Sequence, residues 1–193
     1  MKYPQLVSDV QRLTESLGQL PELVAEPAFI VVSGLPGTGK SYFCSRLAER
    51  LPFVILESDA LRRTLFSSPS YSAPESSTLF RAVHLLIEEL LKKGVSLILD
   101  ATNLSERYRE HLYCIADRLN VRLVLVRVEA PPEVVYQRLK ARLGNPENKS
   151  DADWAVYQKM ESSVQKIRRH HYAVDTSRDI TPVLDKIVRE VSR

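Results

Sequence analysis

A glycine-rich run after an apolar stretch carries the clearest chemistry in this sequence. Phe29–Val32 is apolar, and the residues that follow have the spacing G-x-x-x-x-G-K-S. Between a strand and a helix, this spacing turns backbone N–H groups toward phosphate oxygens, while the lysine adds a positive charge and the serine hydroxyl suits Mg²⁺. We therefore expect a site for ATP and Mg²⁺ formed by Gly34, Leu35, Pro36, Gly37, Thr38, Gly39, Lys40, Ser41 and Tyr42.

A second candidate site follows the next apolar stretch. Asp59 comes shortly after Phe53–Leu56, and Arg62 lies three residues later, on the same face of a helix that begins here. A carboxylate at this place can accept a proton from an attacking hydroxyl, and an arginine can bind an anionic part of the substrate. The alternative interpretation is that Ser58 or Asp59 only caps the helix.

A third group of polar residues ends another apolar stretch. Asp100 stands where a carboxylate suits the neighbourhood of Mg²⁺. The next residue is Ala101 and not a glutamate that would activate water, which favours transfer to an acceptor over hydrolysis. Thr102 and Asn103 follow as candidate substrate residues, although Asn103 equally suits a cap for the next helix, with Glu106 as its reciprocal partner.

Two arginines point to a lid. Arg138 and Arg142 are four residues apart on one face of a predicted helix that ends at Gly144, and a polar segment follows. This layout is typical of a lid that closes over phosphates, with arginines that stabilise transition-state charge. The alternative is a solvated helix face. We place the lid at about residues 138–155.

One motif match is discounted. Residues 148–151 spell the N-K-x-D guanine-recognition motif, but they follow a polar segment and not an apolar strand. No D-x-x-G follows the third predicted strand either. We therefore do not expect guanine specificity from this match.

Helix and strand patterns alternate along the chain, which predicts parallel strands joined by helical crossovers. We expect a three-layer α/β fold with about five parallel strands in the order 2-3-1-4-5 and helices on both faces. Ligands of such sheets bind at the carboxyl ends of the strands, where Asp59 and Asp100 are expected. The predicted strands are residues 29–33, 53–56, 95–100, 121–128 and 172–174, and the predicted helices cover about 4–17, 41–50, 79–90, 104–119, 135–143, 150–167 and 181–191.

The composition indicates an ordinary globular protein. The chain has 193 residues, of which 44% are hydrophobic and 26% charged, with a net charge of +3. This suits a helical extension over residues 1–28 followed by one nucleotide-binding domain over 29–193. Two cysteines suggest neither a disulfide framework nor a metal cluster. The sequence shows no signal peptide and no membrane span, so we expect a cytoplasmic protein without a membrane partner.

Together these motifs resemble one group of P-loop kinases, which contains the polynucleotide 5′-hydroxyl kinases and zeta-toxin-like proteins. The resemblance covers about residues 29–180 and implies a kinase fold that uses ATP and Mg²⁺. It implies Asp59 as the general base and Arg62 as a ligand of a substrate phosphate. It also implies that Arg142, with Arg138, binds the donor phosphates, and that the segment with Thr176 and Arg178 lies beside the nucleobase. The motifs that carry it are Gly34–Ser41, Asp59-x-x-Arg62, Asp100-Ala101-Thr102-Asn103 and Arg138-x-x-x-Arg142.

The resemblance makes an ATP-dependent phosphotransferase the leading hypothesis. The favoured acceptor is the 5′-hydroxyl of DNA or RNA. A kinase that acts on a sugar, nucleoside or antibiotic hydroxyl is the second hypothesis. The third is a nucleotide-switched binding module without transfer, which would have no need of a base at Asp59.

Overall fold

The computed structural model describes residues 3–142 and 152–192. Strands and helices alternate along these residues. The strands are β1 (Ala28–Ser33), β2 (Val54–Glu57), β3 (Leu97–Asp100), β4 (Arg122–Glu129) and β5 (Tyr172–Asp175). The helices are α1 (Tyr3–Ser16), α2 (Lys40–Ala48), α3 (Ser58–Leu65), α4 (Ala73–Lys92), α5 (Glu106–Leu119), α6 (Pro132–Arg142), α7 (Trp154–Glu161) and α8 (Thr181–Val191).

The five strands form one parallel sheet in the order β2-β3-β1-β4-β5, which confirms the predicted topology. The pairing register fixes which strand ends meet. Glu57 of β2 lies opposite Asp100 of β3, and Asp100 lies opposite Val32 of β1. The carboxyl ends of the three strands therefore share one edge, from which the phosphate-binding loop, α3 and the segment after β3 all depart.

The central strand explains the three layers. All six residues of β1 are buried. Phe29 and Val31 pack into one hydrophobic cluster, whereas Ile30 and Val32 pack into another on the opposite face. Successive side chains of a strand point to opposite faces, so a fully apolar strand requires cover on both sides. Helices α1, α3, α4 and α5 supply that cover on one face, and α2 and α8 supply it on the other.

The N-terminal helix is anchored on the face of the sheet that α3 and α4 cover. Val10 and Leu13 of α1 belong to the same hydrophobic cluster as α3 and α4. The Arg12 guanidinium donates a hydrogen bond of 2.5 Å to the carbonyl oxygen of Thr64, in the last turn of α3. Helix α1 therefore braces the helix that carries Asp59.

Helices α4 and α7 differ from the sequence-based prediction. Helix α4 begins at Ala73, before the predicted start at residue 79, so Pro74 lies in its first turn. Proline is tolerated there because the first turn needs no N–H donor. Helix α7 begins after Asp153, whose carboxylate accepts a hydrogen bond of 2.8 Å from the Val156 N–H. The helix predicted over residues 150–167 is therefore shorter, running from Trp154 to Glu161.

Several predictions fall on residues 143–151, which lie outside the described part of the chain. They are the central part of the lid and the N-K-x-D match. Within residues 3–142 and 152–192, none of the helices combines the length and the apolar character that crossing a bilayer requires.

Candidate functional site

The phosphate-binding loop requires glycine at two positions for reasons that the structure makes explicit. Gly37 and Gly39 have φ angles of 78° and 93°, which L side chains rarely adopt. A Cβ atom on Gly39 would lie 2.9 Å from Thr176 Oγ1, and one on Gly37 would lie 2.8 Å from Val135 Cγ1. The loop therefore needs positive φ angles at these two positions and has no room there for a side chain. Helix α2 begins directly after Gly39, at Lys40.

A buried hydrogen-bond network holds this loop in place. The Thr176 hydroxyl donates to the Thr38 carbonyl oxygen at 2.6 Å. Arg138 donates to Thr176 Oγ1 at 2.7 Å and to the Thr176 carbonyl oxygen at 2.9 Å. Both terminal nitrogens of Arg138 thus bind Thr176, and the two residues connect α6, the end of β5 and the loop. The sequence predicted Arg138 on the donor phosphates and Thr176 beside the nucleobase. It did not predict that these two residues brace the loop.

Three charged side chains converge at the strand ends. The Lys40 Nζ donates to the Leu35 carbonyl oxygen at 2.9 Å. Burial lowers the pKa of Lys40, and the negative charges of Asp100 and Asp59 oppose that shift. The structure therefore brings together the lysine, the β3 acid and the α3 acid that the sequence singled out separately.

Asp59 has the environment of a proton acceptor. Burial raises the pKa of the Asp59 carboxyl above its ordinary value, and the charges of Arg63, Lys40 and Arg62 act in the opposite direction. The alternative role as a helix cap is wrong, because α3 already begins at Ser58 and its N-cap residue is Glu57. The strand β2 runs straight into this helix, which leaves the Asp59 side chain inside the first turn.

Arg62 is engaged within the protein. Its guanidinium forms an ion pair with Glu75, donates to the Ser76 hydroxyl at 3.2 Å, and lies 4.7 Å from the centre of the Tyr71 ring. Both members of the ion pair are nearly fully buried, with 7% and 8% of their side-chain surfaces exposed. Burial alone would raise the pKa of Glu75, but hydrogen bonds from Ser70, Arg62 and Tyr71 lower it to about 2. Arg62 therefore joins α3 to the start of α4.

Thr102 and Asn103 connect the end of β3 to β1. The Thr102 carbonyl oxygen accepts a hydrogen bond of 3.1 Å from the Gly34 N–H, at the start of the phosphate-binding loop. The Asn103 amide donates to the Val32 carbonyl oxygen at 3.0 Å, and Asn103 has a φ of 47°. Asn103 is thus not the helix cap that was considered as an alternative, because the N-cap residue of α5 is Ser105.

Sequence reasoning missed Arg109, which shapes the same segment. It is 1% exposed and donates to the Asn103 carbonyl oxygen at 2.6 Å and to the Gln165 carbonyl oxygen at 2.8 Å. The sequence contained one indication: Arg109 lies three residues before Leu112, on the same face of α5, so its side chain points toward the core. Arg109 fixes the segment after β3 against the chain that follows α7.

The remaining candidate residues lie around the loop. Ser41 is exposed in the first turn of α2, next to Lys40, and Tyr42 is 57% exposed. Arg142 is exposed at the end of α6, and its positive charge contributes to lowering the pKa of Lys40. Arg178 is exposed and its Nε lies 3.3 Å from a carboxylate oxygen of Asp175.

The donors available to a metal ion fit Mg²⁺. Ser41 would supply a hydroxyl oxygen, and Asp100, which is 4% exposed, would supply a carboxylate oxygen. Hard oxygen donors from one or two side chains, together with substrate phosphates, are the usual environment of Mg²⁺ in such proteins.

Comparisons with known proteins agree with this architecture. One curated relative is the UPF0200 protein LS215_1277 of Saccharolobus islandicus (strain L.S.2.15 / Lassen #1). It is 27% identical over 137 residues, which cover 66% of this chain and 71% of the relative.

Two solved structures share the fold. Kti12 of Chaetomium thermophilum in complex with ADP-AlF3 has a TM-score of 0.68 at 20% identity, covering 84% of this chain and 98% of that one. The APS kinase CysC of Mycobacterium tuberculosis in complex with AMPPNP and APS has a TM-score of 0.66 at 16% identity, covering 87% and 99%.

The family comparison is the most specific of the three. The family AAA_33, described as an AAA domain, matches residues 29–167, which contain the phosphate-binding loop, Asp59, Asp100 and Arg138. This match takes in most of the chain. The protein therefore belongs to the AAA_33 family, and its fold is that of the P-loop kinases.

Proposed function

We propose that this protein is an ATP- and Mg²⁺-dependent kinase that transfers the γ-phosphoryl group to a hydroxyl acceptor. The observation that carries the proposal is the position of Asp59. Its half-buried carboxylate, with a raised pKa, lies within the electrostatic reach of Lys40 at the end of the sheet. A phosphate-binding loop alone supports nucleotide binding, whereas a base beside it supports transfer.

The residues divide the work between donor and acceptor. The N–H groups of the loop bind the donor phosphates, and Lys40 neutralises charge on the β- and γ-phosphates. Ser41 and Asp100 would hold Mg²⁺, which supplies further neutralisation of phosphate charge when it is bound. Asp59 accepts the proton of the attacking hydroxyl while a new O–P bond forms and the bond to ADP breaks. Arg142, whose charge acts on Lys40, would stabilise the charge that develops on the transferred group.

The residue after Asp100 supports transfer over hydrolysis. Ala101 is 2% exposed and carries no group that could activate water. A nucleotide-switched binding module is disfavoured for a different reason: such a module has no use for the Asp59 carboxylate at the acceptor side.

The acceptor that we favour is a small hydroxyl compound. The polynucleotide hypothesis assigned Arg62 to a phosphate of the substrate, and that side chain is committed to Glu75 in a buried ion pair. Removing Arg62 from this pair would leave a buried carboxylate without its partner, which is costly. The comparisons give no support for DNA or RNA as an acceptor.

The test is a transfer assay with γ-labelled ATP and a panel of acceptors. The panel contains sugars, nucleosides and 5′-hydroxyl oligonucleotides, and each product is separated from inorganic phosphate. We expect label in a small acceptor at a rate well above that of ATP hydrolysis. Label that appears only in oligonucleotides would restore the polynucleotide hypothesis, and label that appears only in inorganic phosphate would contradict a kinase.

A further inference from the structure

A cavity of about 250 Å³ opens beside the segment that follows β3. Its walls come from α4, from the residues after Asp100, from α5 and from the end of α7. The side chains that matter for the argument are Phe80, His84, Tyr108, Thr102, Asn103 and Ser163.

The cavity shares a wall residue with the segment that anchors the phosphate-binding loop. Thr102 lines it, and the carbonyl oxygen of Thr102 accepts the hydrogen bond from Gly34 at the start of the phosphate-binding loop. On the other wall, Ser76, Phe80 and His84 follow one another at intervals of four residues, so they share one face of α4. Ser76 contacts Arg62, one turn beyond Asp59 on α3. The same face of α4 therefore leads from the helix with the proposed base into the cavity.

The lining combines aromatic, aliphatic and uncharged polar side chains, and carries no formal charge. The Phe80 and Tyr108 rings lie 6.1 Å apart between centroids with a tilt of 30°, and the Phe80 and His84 rings lie 6.4 Å apart. Burial and the nearby His111 lower the pKa of His84 to about 4, so His84 is neutral at pH 7. The described residues that form the walls include no lysine, arginine, aspartate or glutamate.

The uncharged lining with its aromatic rings favours an uncharged, planar group as the occupant of the cavity. A charged group would lose its hydration in the cavity without a partner of opposite charge, which is unfavourable. A planar ring gains by stacking on aromatic faces. The Thr102 and Ser163 hydroxyls and the Asn103 amide offer hydrogen-bond partners for polar atoms at the edge of a ring.

We propose that this cavity holds the uncharged, planar ring of the phosphate acceptor, and that the acceptor is of the nucleoside class. The proposal rests on the proposed kinase function and specifies its substrate. The hydroxyl oxygen of the bound nucleoside attacks the γ-phosphorus of ATP, the P–O bond to ADP breaks, and the hydroxyl proton passes to Asp59.

The test combines transfer and binding with adenosine, guanosine, cytidine and uridine as probes. We expect transfer to at least one of them. Phe80→Leu and Tyr108→Leu should each raise the KM for that nucleoside about tenfold, the effect of losing about 1.4 kcal/mol of stacking. The KM for ATP should change less than about twofold.

Tyr136→Leu is the matched control, because Tyr136 is a partly exposed tyrosine of α6 outside the cavity lining. Tyr108 is 55% exposed, so its variant tests the proposal even where Phe80→Leu disturbs folding.

Equilibrium binding of the nucleosides to the protein saturated with AMPPNP separates the two proposals. Transfer confined to sugars or oligonucleotides, or an unchanged KM in both variants, would overturn the cavity assignment and leave the kinase proposal standing. Nucleoside binding that depends on Phe80 without any transfer would support the cavity and overturn the kinase proposal. Absence of nucleoside binding, together with no transfer to any acceptor of the panel, would overturn both.

Discussion

At the scale of single residues, the account depends on two ionisable side chains with opposite tasks. The proposed reaction needs a positively charged Lys40 and an ionised Asp59, whereas burial lowers the pKa of Lys40 and raises the pKa of Asp59. Each shift disfavours the charged form that the chemistry needs. The charge of each residue favours the ionised form of the other and so opposes these shifts.

Lys40→Ala should abolish ATP binding without unfolding the protein. The lysine is a charge partner for phosphate and not a core residue, so its removal should cost little stability. Isothermal titration with ATP and Mg²⁺ measures the affinity, and thermal unfolding measures the stability. Lys159→Ala, at an exposed lysine of α7, serves as the control. An unchanged ATP affinity in Lys40→Ala would exclude the phosphate-binding role of the loop.

The pH dependence of transfer should report Asp59. Only the ionised carboxylate accepts a proton, and burial raises its pKa above 3.8, so kcat/KM should fall on the acid side with an inflection above that value. Below the inflection the rate should fall about tenfold per pH unit. The free energy of unfolding should change with pH in the opposite direction. Because the folded-state pKa of Asp59 is raised, the stability that protonated Asp59 contributes is lost as the pH rises through that pKa. An acid limb that persists unchanged in Asp59→Asn would assign the inflection to another group.

At the scale of elements, the site is assembled by contacts between segments distant in sequence. Thr176 follows β5 and holds the loop after β1, while Arg62 of α3 is paired with Glu75 of α4. The first contact fixes the loop against the end of β5, and the second fixes α3 against α4. Substitutions here should change the geometry of the site more than its chemistry.

Thr176→Val should loosen the phosphate-binding loop. The variant keeps the shape but removes the hydroxyl that donates to the Thr38 carbonyl oxygen and accepts from Arg138. The buried groups left unpaired should cost about 1–3 kcal/mol of folding stability. We expect a lower unfolding temperature and a higher KM for ATP, with a smaller effect on kcat. Ser177→Ala changes an exposed neighbouring hydroxyl and should have little effect. Equal effects of the two variants would contradict the bracing role.

Arg62 and Glu75 should behave as a coupled pair in unfolding experiments. Arg62→Ala removes the cation that pairs with Glu75, whose carboxylate keeps its hydrogen bonds from Ser70 and Tyr71. The double variant with Glu75→Ala should therefore lose less stability than the sum of the two single variants. The exposed pair of Arg46 and Glu49 provides the control cycle, with little coupling expected. Additive effects at Arg62 and Glu75 would mean that the buried pair does not join α3 to α4.

At the scale of the whole molecule, the sequence predicted what depends on local pattern. The alternation of apolar stretches and helices predicted the parallel sheet, and the loop spacing predicted the turn after β1. Because ligands of parallel sheets bind at the carboxyl ends of the strands, Asp59 and Asp100 were expected at the same edge of the sheet. The partners of Arg138 and Asn103 were not predictable, because they lie 38 and 71 residues away in sequence and are selected by the packed fold.

The cavity beside Phe80 and Tyr108 shows the same limit. Its walls come from α4, α5, the end of α7 and the segment after β3, and the sequence spacing within any one of them does not predict this pocket. Only the packing of α4 against α5 brings the two rings to 6.1 Å. The acceptor side is therefore where tertiary structure adds most to the sequence-based account.

The measurement that tests the central claim most directly is phosphoryl transfer by Asp59→Asn. The substitution keeps the size of the side chain and removes the base at the shared edge of the sheet. We expect transfer to the acceptor to fall by about 10²-fold or more, while ATP affinity and the unfolding temperature stay close to those of the unsubstituted protein. Transfer at the unsubstituted rate, with ATP binding intact, would contradict the assignment of Asp59 as the base of a kinase.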